Sequence, residues 1–122
     1  MADTPEYELR DDRTRGVLEA SAGDGTDAVA GRIAYFVLER DGGPAALVAV
    51  HTVVEPAYEG RGIAGALVRE FYAIAGREGV AVVPLCPYAA RWAQRHPDEA
   101  PAAPADLVAA ADAELRARPD RW

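Results

Sequence analysis

Between Ala45 and Gly79 the hydrophobic pattern changes period once, and it does so across a loop containing three glycines. Before the loop, Ala45–Val54 (AALVAVHTVV) is almost continuously apolar, as a strand buried on both faces would be. After it, Ile63, Leu67, Phe71 and Ile74 recur at helical spacing, with Val68 and Ala75 beside them and Arg69, Glu70 and Arg77 opposite. Gly79 supplies a helix stop. A buried strand that enters a helix through Gly60, Gly62 and Gly65 fixes much of what can surround it. The helix must cover the sheet, and its N-terminus must lie near the strand's end.

The flanking sequence fills in the rest. Arg15–Ala20 reads as a short strand, followed by a loop at Ser21–Asp27 rich in Gly, Asp and Ser. Gly31–Arg40 reads as a stronger strand, and Asp41-Gly42-Gly43-Pro44 as the hairpin turn joining it to Ala45–Val54. Val80–Leu85 is a short apolar strand in which Pro84 lacks an N–H, so its far end should lose a ladder bond and splay from its neighbour. Ala89–His96 reads as a helix ended by Pro97. Ala100–Pro104 is a linker, and Asp106 caps a last helix running to about Arg118. The order β-β-β-α-β-α-α describes an α+β domain with a mixed sheet.

The 122 residues suit one domain over 1–122, with 1–14 and 119–122 as flexible ends. Half the residues are hydrophobic and 27% are charged, an ordinary globular composition. No apolar run approaches a membrane span, and Met1–Arg10 is charged where a signal peptide is apolar, which points to a cytoplasmic protein. Cys86 is the single cysteine, so no internal disulfide forms. A net charge of −7, with arginines scattered rather than striped, argues against nucleic-acid binding. It suits a cationic partner such as an amine, or it serves solubility alone. No His/Cys/Asp spacing resembles a metal site.

The glycine loop, Glu55–Gly65 (EPAYEGRGIAG), carries the chemistry. Backbone amides at a helix N-terminus form an anion site, and a pyrophosphate is the natural occupant, with Arg61 able to add a charged contact. Gly60-Arg61-Gly62-Ile63-Ala64-Gly65 also fits the dinucleotide fingerprint G-x-G-x-x-G. Context opposes that reading. Five residues, Glu55–Glu59, separate the strand from the glycines, and the next strand ends in Pro84-Leu85-Cys86-Pro87 without an acidic ribose ligand. A tight strand-to-helix turn with no ligand is the remaining alternative.

The run Glu59–Ala64 resembles the acetyl-CoA pyrophosphate loop of GNAT acetyltransferases, [Q/R]-x-x-G-x-[G/A], with Gly62 and Ala64 at its last two fixed positions and Glu59 departing from the first. The chain is most similar to a short branch carrying HT-x-V, EGRG, VPLCP and HP. These appear in order as His51-Thr52-Val53-Val54, Glu59–Gly62, Val83–Pro87 and His96-Pro97. The resemblance covers roughly Arg32 to Asp98. It implies a mixed, mostly antiparallel sheet whose central strands splay apart, with flanking helices, and a pantetheine arm lying between the strands that end at Val54 and Leu85. Glu59 to Gly65 would hold the cofactor, and Val53 and Val54 would offer backbone groups to the pantetheine. The implied activity is acetyl transfer from acetyl-CoA to a primary amine, either a small amine or a protein lysine. A non-catalytic acyl-CoA-binding module and an interaction domain with no ligand are the alternatives.

Acetyl transfer requires a base for the ammonium, donors for the oxyanion and an acid for the departing thiolate. Many GNAT proteins supply the acid as a Tyr at the end of N-x-x-A-x-x-x-Y. Here Cys86 holds the Asn position, Ala89 matches, and the Tyr position falls on Ala93. Tyr88 is the nearest phenol. Cys86, at a strand end and before a helix N-terminus, can act as nucleophile or base, or can simply be a small buried residue. His51 has a side chain suited to a base and can equally be a sheet histidine. Val53 stands where the branch commonly has Glu, and Glu55 where it commonly has Pro.

Overall fold

The computed structural model describes residues 7–22 and 28–118. Five strands form one sheet in sequence order: β1 (Tyr7–Asp12), β2 (Val17–Ala22), β3 (Val29–Arg40), β4 (Gly43–Val54) and β5 (Ala81–Pro84). The first four pair antiparallel, and β5 pairs parallel to β4. The three helices are α1 (Ile63–Glu78), α2 (Pro87–Arg95) and α3 (Ala105–Ala117). Among the described residues no helix is long and apolar enough to cross a membrane.

Strand β4 is buried on both faces from Ala46 to Val50, as its continuous apolar sequence requires. Leu47 and Ala49 face α1, joining Ile33, Tyr35, Leu67, Val68 and Phe71 in the larger core. Ala46 and Val48 face the other way, toward Ala111 and Leu107 of α3. The β3–β4 hairpin turns on two residues, Asp41 and Gly42, with φ of 55° and 84°, which matches the right-handed twist of the strands it joins.

Four expectations need correction. Tyr7–Asp12, assigned to a flexible end, form edge strand β1. Their sequence, YELRDD, shows no apolar alternation because neither face is deeply buried, and the ladder to β2 holds them instead. Ser21 and Ala22, read as loop, extend β2, while 23–27 lie outside the described residues, as do 1–6 and 119–122. Helix α3 starts after Pro104, with no side-chain cap; the Asp106 carboxylate accepts from Arg40 Nη1 at 2.8 Å. Helix α2 also begins earlier than its pattern suggested, at Pro87, whose fixed φ suits a first helical position.

The β1–β2 turn closes on Gly16, whose N–H donates to Asp12 O at 2.9 Å and whose carbonyl accepts from Tyr35 N at 2.8 Å. Its φ is +69°, and a Cβ there would lie 2.4 Å from the Tyr35 carbonyl oxygen. Gly16→Ala therefore combines left-handed strain with a backbone clash, about 2–4 kcal/mol together. The thermal midpoint should fall by roughly 10 °C or more, and a melt of the variant measures it. Next to this turn, burial and a hydrogen bond to Asp11 push the Tyr35 phenol up to about 12, so it remains a neutral donor.

Candidate active site

Strand β4 pairs with β5 only from Ala46 to Ala49. Both Leu85 N–H and Cys86 N–H donate to Ala49 O, each at 3.0 Å, and the two strands then part. Two local features cause this. Pro84 ends β5 without an N–H to offer. Across β4, His51 pairs with Ala34 and Ala49 with Tyr35, leaving Val50 as an extra residue, and such a bulge bends its strand.

The register decides which backbone groups face the gap. Glu55 N–H donates to Ala30 O, and Val53 lies opposite Arg32, so residues 53 and 55 point their polar groups at β3. Thr52 and Val54 point theirs the other way, into the gap that β5 has left. Of the two valines expected to serve the pantetheine, only Val54 turns its backbone groups to the gap. The Val53 side chain is exposed on the sheet face opposite α1.

A 3-10 turn, Pro56–Tyr58, carries the chain from β4 to the glycines. Gly60 and Gly62 have φ of +80° and +79°, and Gly62 is the N-cap of α1. A Cβ at either position would meet nothing within 4 Å, so conformation, not protein packing, asks for glycine there. The first intrahelical bond runs from Ala66 N–H to Gly62 O, which leaves the amides of Ile63, Ala64 and Gly65 directed out of the helix end. No acidic residue occupies the first turn.

These amides open on a cleft of about 460 Å³. Thr52, Val54, Tyr58, Glu59, Gly60, Gly62, Ile63, Ala64, Gly65 and Tyr88 line it, so seven of the nine residues expected to bind a cofactor come together. Arg61 is not among them; its guanidinium sits over the Tyr58 ring, 5.5 Å from the centroid. Tyr58 and Thr52 were not singled out from sequence. Thr52 shares the face of Val54 by simple alternation, but its hydroxyl stands beside His51, the more conspicuous polar residue of the run.

The three catalytic candidates separate. Cys86 is buried, with its thiol donating to Thr52 Oγ1 at 3.3 Å, which joins the HTVV and VPLCP segments at the mouth of the gap. Tyr88 is half-buried, and its hydroxyl lies 3.7 Å from where a Gly65 Cβ would be, beside the amides of α1. His51 is exposed and belongs to the opposite face, because it lies across from Ala34 while Thr52 lies across from Ile33. His96 closes α2: its Nδ1 lies 2.8 Å from Trp92 O and its ring stacks on Trp92. A second groove, of about 490 Å³, is lined mostly by alanines, prolines and valines, with Tyr72 and Gln94 as its polar side chains and no charged group.

Residues 6–102 match the family model described as GCN5-related N-acetyl-transferase. The chain belongs to that family. The glycine cradle, the parted strands and the Cys86 corner all fall inside the matched segment. Among solved structures, a ribosomal-protein-alanine N-acetyltransferase from Brucella melitensis biovar Abortus 2308 shares 22% identity over 71% of this chain and 64% of its own, with a TM-score of 0.50. A GNAT family N-acetyltransferase (YhbS) from Escherichia coli, in complex with CoA, shares 27% identity over 57% of this chain and 38% of its own, with a TM-score of 0.48. The chain thus spans less than two thirds of the length of these solved relatives. No curated protein matches the sequence. The mixed, mostly antiparallel sheet flanked by helices is the fold expected for a family member. Its departures from a dinucleotide-binding unit are local: β4 and β5 do run parallel across α1, but a 3-10 turn separates β4 from the glycines and β4 is antiparallel to β3 on its other side.

Proposed function

We propose that the protein is an acetyl-CoA-dependent N-acetyltransferase acting on a primary amine, within a single domain spanning the chain. One observation carries the reading: the free amides of α1 and the β4 residues beyond the parting of β4 and β5, Thr52 and Val54, open on the same cleft. A pyrophosphate fits the amides, and an extended pantetheine fits the gap, where Thr52 and Val54 offer the backbone groups an amide needs. The acetyl carbonyl then reaches the corner formed by Thr52 and Cys86. An N–H of β4 facing the gap can stabilise the oxyanion. Cys86 acts there as base or nucleophile, and Tyr88, beside Gly65, serves the phosphate end of the cofactor more naturally than the thioester. The amine approaches from the opposite sheet face, where His51 and Val53 are exposed and no acidic residue stands on β4.

The second reading, an acyl-CoA-binding module without turnover, is favoured by Ala93, which brings no acid and lines the other groove. Calorimetry with CoA, followed by thiol release from acetyl-CoA with a panel of small amines and lysine peptides, separates the two. CoA should bind, NAD should not, and at least one amine should release thiol. Saturable NAD binding that CoA cannot displace overturns both readings, and CoA binding without release by any amine leaves the module.

A further inference from the structure

The chain carries a net charge of −7, so its overall field repels a polyanionic ligand and local cations must compensate. Most arginines are already engaged. Arg10, Arg13, Arg15, Arg40, Arg69, Arg77, Arg116 and Arg118 each have a carboxylate within 4 Å. Arg61 lies over Tyr58. Among the described residues Arg32, Arg91 and Arg95 have no carboxylate partner. Arg32 lies across from Val53, on the sheet face away from the cleft.

Arg91 and Arg95 are different. Both are exposed on α2, one helical turn apart. At 100° per residue they fall about 60° and 20° from Tyr88 around the helix, on the side away from buried Trp92. Tyr88 lines the cleft, and α2 starts at the strand gap and runs away from it. With the pantetheine in the gap and the pyrophosphate at the amides of α1, the nucleotide end leaves the cleft past Tyr88. The next two side chains along that stripe are the unpaired guanidiniums, about 4.5 Å and 10 Å further along the axis. They are neither buried nor paired to each other's benefit, since two like charges at i and i+4 repel.

We infer that Arg91 and Arg95 bind the phosphomonoester on the cofactor's ribose, and so make the site selective for CoA over dephospho-CoA. The inference rests on the proposal that CoA occupies this cleft. A guanidinium matches a phosphate through two parallel hydrogen bonds, and a dianionic monoester attracts it more strongly than a bridging phosphate. Arg91, closer to Tyr88, should carry the larger share.

The test is calorimetry of CoA and dephospho-CoA on wild type, Arg91→Gln, Arg95→Gln and the double variant. Glutamine keeps helix propensity, and circular dichroism checks the fold. Wild type should bind CoA at least ten-fold more tightly than dephospho-CoA. The double variant should lose that preference while binding dephospho-CoA as wild type does. Equal affinities in wild type, or equal losses for both ligands in the variants, overturn the inference. If wild type binds neither ligand, the cofactor proposal itself falls and takes this one with it.

Discussion

Cys86→Ser should lower acetyl transfer by roughly 10²–10⁴-fold while leaving the fold nearly as stable as before. The two halves of that expectation come from the same contact. The thiol is buried and lies 3.3 Å from the Thr52 hydroxyl, so a serine hydroxyl placed there has a partner within reach. An unsatisfied hydroxyl would cost about 1–3 kcal/mol, and a satisfied one much less. A purely structural thiol would therefore tolerate the change in both stability and rate. A thiol that takes a proton, or attacks the acetyl carbonyl, would not, because serine is far less acidic and less nucleophilic.

The sequence gives this experiment an unusual clarity. All thirteen basic residues are arginines, so no lysine is present to accept an acetyl group adventitiously. Intact mass after acetyl-CoA alone then reports chiefly on Cys86 and the terminal amine. A gain of one acetyl group that disappears in Cys86→Ser means that the thiolate attacks the carbonyl, the bond to the CoA sulfur breaks, and CoA leaves with the proton. The amine next takes the acetyl group and restores the thiol. Rate loss without that adduct means Cys86 handles a proton. Normal turnover by the variant reduces Cys86 to packing, and Tyr88→Phe and His51→Ala become the tests to run.

The sequence made the strand–loop–helix unit legible because each of its parts is locally unambiguous. Continuous apolar residues, three glycines and a 3.6-residue stripe read the same way from any side. What it hid depends on pairing. Nothing in Val53-Val54 says which of the two faces the gap; only the register with β3, fixed through Glu55 and Ala30, decides it. The place of Arg61 between glycines likewise does not announce that its cation lies over the Tyr58 ring. Strand β1 escaped because an edge strand with both faces wet needs no hydrophobic alternation. The Thr52–Cys86 contact joins residues 34 apart in the chain and exists only once β5 lies parallel to β4.

Charge at the N-cap of α1 should move stability and cofactor affinity in opposite directions. Gly62 has a φ of +79° and open space around its Cβ position, so Asn and Asp fit it with similar strain and differ mainly by one negative charge. A carboxylate at a helix N-terminus favours the helix, by about 0.3–1 kcal/mol at an exposed site. Gly62→Asp should therefore melt at or above the midpoint of Gly62→Asn. The same carboxylate stands beside the amides of Ile63, Ala64 and Gly65, where the pyrophosphate would sit, and repels it. Gly62→Asp should bind CoA at least ten-fold more weakly than Gly62→Asn, about 1.4 kcal/mol. The gap between them should narrow as salt rises, because the site is open to solvent. A cradle that served only as a turn would make the two variants equal in CoA affinity, and calorimetry at low and high salt with both proteins would show it.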